Sequence, residues 1–293
     1  MLDSSTRELL CLWAARERGV LDALATEAGT PADVADTAGV DPAAADAFVT
    51  ALADAGYVER VGDEYEPTNR LLGFLTKTDL RSVGSLPAAL DAVDGWVALG
   101  EGDSFESPDA LRNDLGAQWA TDEATVRAAV TAAIRAAPGA DAAAVVGDGP
   151  GRHARDLLAR GLDATIVETP ARADAVEPLL SPTAVRLEAG GPEAIPDADL
   201  VLLPGFLERH DDPACERWLA AAAEAAPVVV AVGPLRDRSS GGALADLEAV
   251  ARGEGRVRPA AAVRGLFAAA GLDCAVEAVP GTPLFAAVGR RVQ

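Results

Sequence analysis

Hydrophobic patterning divides the chain into two regimes. Through the first 138 residues apolar positions recur at helical spacing; beyond Pro138-Gly139 they gather into short continuous runs separated by helical stretches. In the first regime Leu9, Leu10, Leu12, Trp13 and then Val20, Leu21, Leu24 mark helix. Thr30-Pro31-Ala32-Asp33 reads as a helix start, with an N-cap hydroxyl, proline at the first helical position and an acid two residues on. Asp41-Pro42 repeats that start, and Phe48, Leu52 and Ala55 share one face until Gly56 stops the helix. Tyr57–Val61 and Glu64–Glu66 flank Gly62-Asp63, a short hairpin. Further on, Leu86 to Leu99 carries an apolar face of Leu90, Val93 and Val97 with Trp96 nearby, ended by Gly100 and Gly102. Ser107-Pro108 opens another short helix. Thr121 to Ala137 is predicted helical, with Thr121 and Asp122 as cap candidates and Val126, Val130, Ile134 in register.

In the second regime the predicted strands are 142–146, 164–167, 184–187, 200–203, 228–232, 273–279 and 284–288. Helical stretches at 152–160, 171–180, 213–226, 243–252 and 259–270 fall between most of them. Early strands that are apolar throughout need both faces covered, the mark of a parallel α/β sheet. Pro280-Gly281-Thr282-Pro283 is short enough to make the last two strands an antiparallel hairpin. The prediction is a Rossmann-like, mostly parallel sheet of seven strands whose last strand is reversed, preceded by a helical domain. Helix, short helix, helix, hairpin is also the order of a winged helix. Its would-be recognition helix, 41–55, carries Asp41, Asp46 and Asp54 and no basic residue, so a packing or dimerisation role is expected and a nucleic-acid role is not.

Charge strengthens that exclusion. Acidic residues number 46 against 25 basic, a net charge of −21, and Lys77 is the single lysine. Such a surface repels phosphates; it also resembles the carboxylate-rich, lysine-poor surfaces suited to high salt. Cys11, Cys215 and Cys274 lie far apart in apolar patterns, which predicts free thiols in a reducing cytoplasm. His153 and His210 show no metal-ligand spacing with any cysteine, and no targeting segment or membrane-length apolar run is evident. No metal and no membrane partner are expected.

The candidate chemistry collects where the predicted strands end. Gly147-Asp148-Gly149-Pro150-Gly151 joins the first strand of the sheet to a helix, and glycines there let the backbone bend sharply and a ligand approach the main chain. Glu168 closes the second strand, seventeen residues after Gly151, where a carboxylate can accept from a ribose diol. Thr169, Gly190-Gly191 and the segment Pro204 to Asp212 converge on the same edge. Within PGFLERHDD, Glu208 and His210 are the candidate general bases. Asp212 reads as a helix cap with Pro213 after it, and Asp211 as solvated.

In this order the motifs resemble the SAM-dependent O-methyltransferases of the caffeate and acetylserotonin type. The likeness covers nearly the whole length. The stretch from GVLDALA to GDEYEPT resembles that family's winged-helix dimerisation domain, and DGWVALGEG the segment leading to its active-site helices. VVGDGPGRHA stands at its SAM loop, Glu168 at its ribose-binding acid, FLERHDDPACERWL at its fourth-strand segment, and RPAAAVRGLFAAAGL at its late helix. The resemblance implies residues 1–80 as a dimerisation domain, 81–138 as a helical connector contributing to a substrate pocket, and 139–293 as the SAM-binding domain. It also implies a small-molecule acceptor, a homodimer, and SAM held by Gly147, Asp148, Gly149, Gly151, Glu168, Thr169, Gly190, Gly191 and Pro204. Trp96 and Phe206 would wall the substrate pocket, and Glu208 or His210 would take a proton from an aromatic or quinone-like hydroxyl. The sequence departs from the family at Val145, where an acid is usual, at Gly191 for an acid, at Pro204 for a basic residue, and at Glu208 for the histidine base. Those departures leave a second reading open, a non-catalytic SAM- or nucleoside-binding scaffold of the same fold.

Overall fold

A computed structural model describes residues 3–26, 28–76, 79–101, 107–253 and 255–291. The chain forms two compact units, Met1–Val93 with Arg112–Ala117, and Asp94–Leu111 with Gln118–Gln293.

The first unit is built by its caps. It runs α1 (Ser4–Glu17), α2 (Val20–Thr26), α3 (Pro31–Ala38), α4 (Pro42–Asp54), a hairpin of β1 (Val58–Val61) and β2 (Glu64–Pro67), α5 (Asn69–Thr76) and α6 (Leu80–Val83). The first apolar stretch splits at Gly19, whose φ of +72° stops α1 before α2 begins. Thr30 and Asp33 form a reciprocal capping box at α3, with Asp33 N–H on Thr30 Oγ1 at 3.2 Å and Thr30 N–H on Asp33 Oδ2 at 2.9 Å. Asp41 accepts from the amides of Ala43 and Ala44 at the start of α4. Leu12, Leu21, Val34, Val49, Leu52 and Tyr57 form the buried core.

Helix α7 (Leu86–Glu101) continues through Gly100, and the predicted break at Gly102 lies outside the described residues. Ser107-Pro108 makes a turn, in which the Asp109 amide donates to Ser107 Oγ, before α8 (Ala110–Trp119) starts. Next come α9 (Glu123–Ala136), capped by Asp122, then β3 (Ala142–Val146), α10 (Arg152–Ala159), β4 (Asp163–Glu168), α11 (Pro170–Leu180), β5 (Arg186–Ala189) and β6 (Leu200–Pro204). After them follow α12 (Asp212–Ala225), β7 (Val228–Gly233), α13 (Gly242–Ala251), α14 (Ala260–Ala269), β8 (Leu272–Ala278) and β9 (Phe285–Arg291). The strands make one sheet in the order β5-β4-β3-β6-β7-β9-β8, parallel except for β9, which runs against both neighbours. The Rossmann-like, mostly parallel sheet of seven strands with its last strand reversed, predicted from the strand pattern, is therefore present. Strand β5 begins two residues later than predicted, because the Thr183 hydroxyl ties back to the Leu180 carbonyl and receives the Val185 amide, holding that stretch as a turn. Val201 and Leu203 share one buried cluster with Trp218 and Leu219 of α12 and Phe267 of α14, the core of the second unit.

Removing the α3 cap by Thr30→Ala leaves an end amide without its acceptor. The expected cost is about 1 kcal/mol, read as faster native-state hydrogen exchange across Pro31–Ala38.

Candidate functional site

The strand order reverses at β3, with β4 and β5 on one side and β6 and β7 on the other, so the carboxyl ends of β3 and β6 border the switch-point crevice. The turn after β3 takes its shape from glycine. Gly147, Gly149 and Gly151 have φ of +74°, +54° and +80°, a region other residues enter only under strain. At Gly151 the constraint is also steric, since a Cβ there would lie 2.6 Å from Leu180 Cδ2 and 3.0 Å from Ile166 Cδ1. Asp148 turns inward: only 4 % exposed, its carboxylate accepts from the amides of His153 and Ala154 and lies 2.6 Å from His153 Nδ1. It fastens the first turn of α10, which has no other side-chain cap.

Glu168 ends β4 and points at the glycine turn. Its side chain is buried, Oε1 accepting from the Gly149 amide at 2.5 Å and Oε2 from Arg172 Nε at 3.1 Å. Burial raises its pKa, against the opposing pull of Arg172 and the Gly149 amide. Thr169 is exposed at the head of α11. Gly190 donates its amide to the Glu168 carbonyl at 2.9 Å, so the Gly190-Gly191 stretch is tied to this corner, while the Gly191 amide bonds Glu193.

On the other side of β3, Pro204 closes β6 and Phe206 lies 3 % exposed, its ring 4.1 Å from His210 and 5.5 Å from Trp218, and its edge against Gly147. His210 is neutral across the physiological range. Burial above all, with the positive charges of Arg209 and Arg172, depresses its pKa to about 4. The Glu208 carboxylate packs beside Gly205 and Gly233 at the ends of β6 and β7, and burial raises its pKa although Arg209, Arg252 and Arg258 oppose the shift. Trp96 lies on α7; its indole Nε1 is buried and without a hydrogen-bond partner among the described residues.

Three arginines to which the sequence assigned no place in the site organise this edge. Arg172 pairs with Glu168, a spacing of four residues that the sequence does display. Arg209 donates from Nη2 to the carbonyls of Gly147 and Pro204, each at 3.0 Å. Arg258, 6 % exposed, bonds the carbonyls of Leu207 and His210 and forms an ion pair with Asp212 at 2.6 Å. That pairing corrects the cap: Asp211 caps α12 through the Ala214 amide at 2.8 Å, and Asp212 is the first helical residue. Cys11, Cys215 and Cys274 are free thiols. Among the described residues no group of acids, histidines and cysteines is arranged to hold a metal, and no helix is long and apolar enough to cross a membrane.

The opposite shifts of the two candidate bases give opposite pH signatures. His210, depressed from an ordinary 6.5, contributes stability that is present above pH 6.5 and lost as pH falls through about 4. Glu208, raised above 4.5, contributes stability that is present below pH 4.5 and lost as pH rises through its folded value. Glu208→Gln should therefore raise the thermal midpoint at pH 7.5 but not at pH 4, whereas His210→Gln should flatten the loss between pH 6.5 and 4.

No family model matches the chain, and no curated protein matches it in sequence. Solved structures match it over nearly its full length. The mitomycin 7-O-methyltransferase MmcR superposes with a TM-score of 0.69 at 21 % identity, covering 98 % of this chain and 95 % of that one. Human N-acetylserotonin methyltransferase, solved with SAM, gives 0.64 at 19 % identity, covering 100 % and 99 %. An O-methyltransferase from neocarzinostatin biosynthesis, solved with S-adenosyl-L-homocysteine and 1,4-dihydroxy-2-naphthoic acid, gives 0.62 at 20 % identity, covering 97 % and 96 %. At these identities the likeness is one of architecture: the chain has the fold of these SAM-dependent O-methyltransferases from end to end.

Proposed function

We propose that the chain is a SAM-dependent O-methyltransferase acting on a hydroxyl of a small aromatic or quinone-like metabolite. The observation that carries this reading is the juxtaposition of a three-glycine turn with the buried carboxylate of Glu168, at the switch point of a sheet otherwise shared with known O-methyltransferases. The residue types fit the cofactor. Bare main chain at Gly147, Gly149 and Gly151 admits close approach, and Glu168 offers an acceptor to sugar hydroxyls. Thr169 and Gly190-Gly191 would border the adenosine, Pro204 would line the opposite wall, and Asp148 keeps the turn in shape.

When bound, SAM supplies an electrophilic methyl group on a sulfonium. The protein's share is to orient the acceptor oxygen and receive its proton. Glu208 is the stronger base of the two candidates, because burial lifts its pKa whereas burial and the charges of Arg209, Arg172 and Arg258 weaken His210. Phe206 and Trp96 would wall the acceptor, an aromatic lining suited to a flat ring. The neocarzinostatin enzyme, solved with a dihydroxynaphthoic acid, supports that class of acceptor.

The helical segment and hairpin at the N-terminus would serve as a winged-helix dimerisation domain spanning 1–80, with 81–138 as connector and 139–293 as the SAM-binding domain. An acidic, lysine-poor surface would keep such a cytoplasmic dimer soluble at high salt. Light scattering should give twice the mass of 29.8 kDa; a monomer at micromolar concentration would refute the pairing.

Calorimetry with SAM tests the cofactor. Binding by the wild type should weaken about 10- to 100-fold in Glu168→Gln, the loss expected for one charge-assisted hydrogen bond. Transfer of labelled methyl to a panel of phenols should fall about 100-fold or more in Glu208→Gln, with the smaller loss in His210→Gln. Absence of any SAM binding to the wild type would sink the proposal.

A further inference from the structure

We infer that Arg209 is an internal latch on the nucleoside site, occupying the main-chain carbonyls that would otherwise receive the cationic amino-acid end of the cofactor. The inference rests on the methyltransferase reading and adds a control element to it.

Arg209 Nη2 bridges the carbonyls of Gly147, the first residue after β3, and Pro204, the last of β6, the two strands between which the sheet order reverses. Glu168 stands on β4, on the other side of β3 from Pro204. A nucleoside whose sugar lies at Glu168 must send its remaining arm across β3 toward β6. In SAM that arm carries a sulfonium and an ammonium, and the acceptors on its path are the carbonyls that Arg209 already holds. Two cations cannot share them, since like charges within hydrogen-bonding distance repel strongly in a partly buried crevice.

The segment that carries the latch is itself fixed. Arg258 holds the Leu207 and His210 carbonyls, Asp211 caps α12, and the Phe206 ring is buried among core residues. Opening therefore requires only rotation of the Arg209 side chain, which is long and has several rotatable bonds. Gly205, at φ +59°, lets the chain turn sharply enough after β6 for that side chain to fold back over the strand end.

A purely structural staple and a latch differ in what they do to two related ligands. 5′-Methylthioadenosine shares the adenosine of SAM but lacks both the positive charge and the amino-acid arm, so it does not compete with Arg209. Calorimetric titration of the full chain with each ligand, in the wild type, Arg209→Met and Arg209→Gln, reads the difference. A latch closed about nine-tenths of the time predicts SAM affinity rising about tenfold in both variants, with methylthioadenosine affinity unchanged. If methylthioadenosine binds throughout and SAM binds no more tightly in the variants, the latch is overturned while the cofactor site stands. If neither ligand binds any of the three proteins, the latch and the methyltransferase reading fall together. Thermal melts accompany the titrations. A variant that loses structure would weaken both ligands alike, and the second variant then decides, since glutamine removes the charge but keeps a polar side chain where methionine is apolar.

Discussion

A carboxylate at 3 % exposure must find donors or surrender its charge, and the way Glu168 resolves this holds the carboxyl edge of the sheet together. Its two oxygens take a main-chain amide from the turn after β3 and a guanidinium from the first turn of α11. Its own carbonyl takes the Gly190 amide beyond β5. One residue thus binds three consecutive strand ends to one another. The glycines shape this contact: a turn with three positive-φ residues carries the Gly149 amide that faces Glu168 on the neighbouring strand. A site assembled this way is preorganised for a ligand that offers hydroxyls, because the acceptor is already aimed and already partly desolvated.

The sheet was legible because its central strands are buried on both faces, so β3, β6 and β7 are continuous apolar runs that no solvent-facing element would tolerate. Caps at Thr30, Asp41 and Asp122 were legible for a local reason, since the donor and acceptor lie within three residues. What the sequence hid depends on distance. Asp211 and Asp212 are equally able to cap α12 by type, and the choice is made by Arg258, which draws Asp212 away from 46 residues further along the chain. Gly100 was read as a stop, yet α7 passes through it; earlier in the same helix, Gly95 would place a Cβ only 3.2 Å from Ala251, so glycine there serves close packing, which no local pattern reveals. The glycine turn and Glu168 could be named from spacing alone. Arg172 stands four residues from Glu168 and was open to the same reasoning, but Arg209 and Arg258 were not, because a side chain of that length reaches partners in many directions.

With one lysine in the chain, almost all side-chain positive charge is guanidinium, and the structure spends much of it on main-chain carbonyls rather than on the surplus of carboxylates. Arg155 reaches the Leu179 carbonyl, Arg290 that of Ala136, Arg291 those of Ala223 and Glu224, and Arg258 those of Leu207 and His210. A planar fork with five donors can satisfy a carbonyl and a carboxylate together, as Arg258 does, where an ammonium offers only a compact point charge. Such bonds depend less on net charge than surface ion pairs do, because the partner is a main-chain dipole and not a second charge. In a chain of charge −21, whose exposed ion pairs contribute little in any solvent, arginine-to-carbonyl bonds are the electrostatic contacts that persist when salt is high. Arg209 belongs to this set, but the carbonyls it holds end two strands at the switch point, where the fold elsewhere places a ligand. The same kind of bond that closes a seam at Arg290 therefore holds, at Arg209, the acceptors inferred above for the cationic arm of a ligand in the crevice.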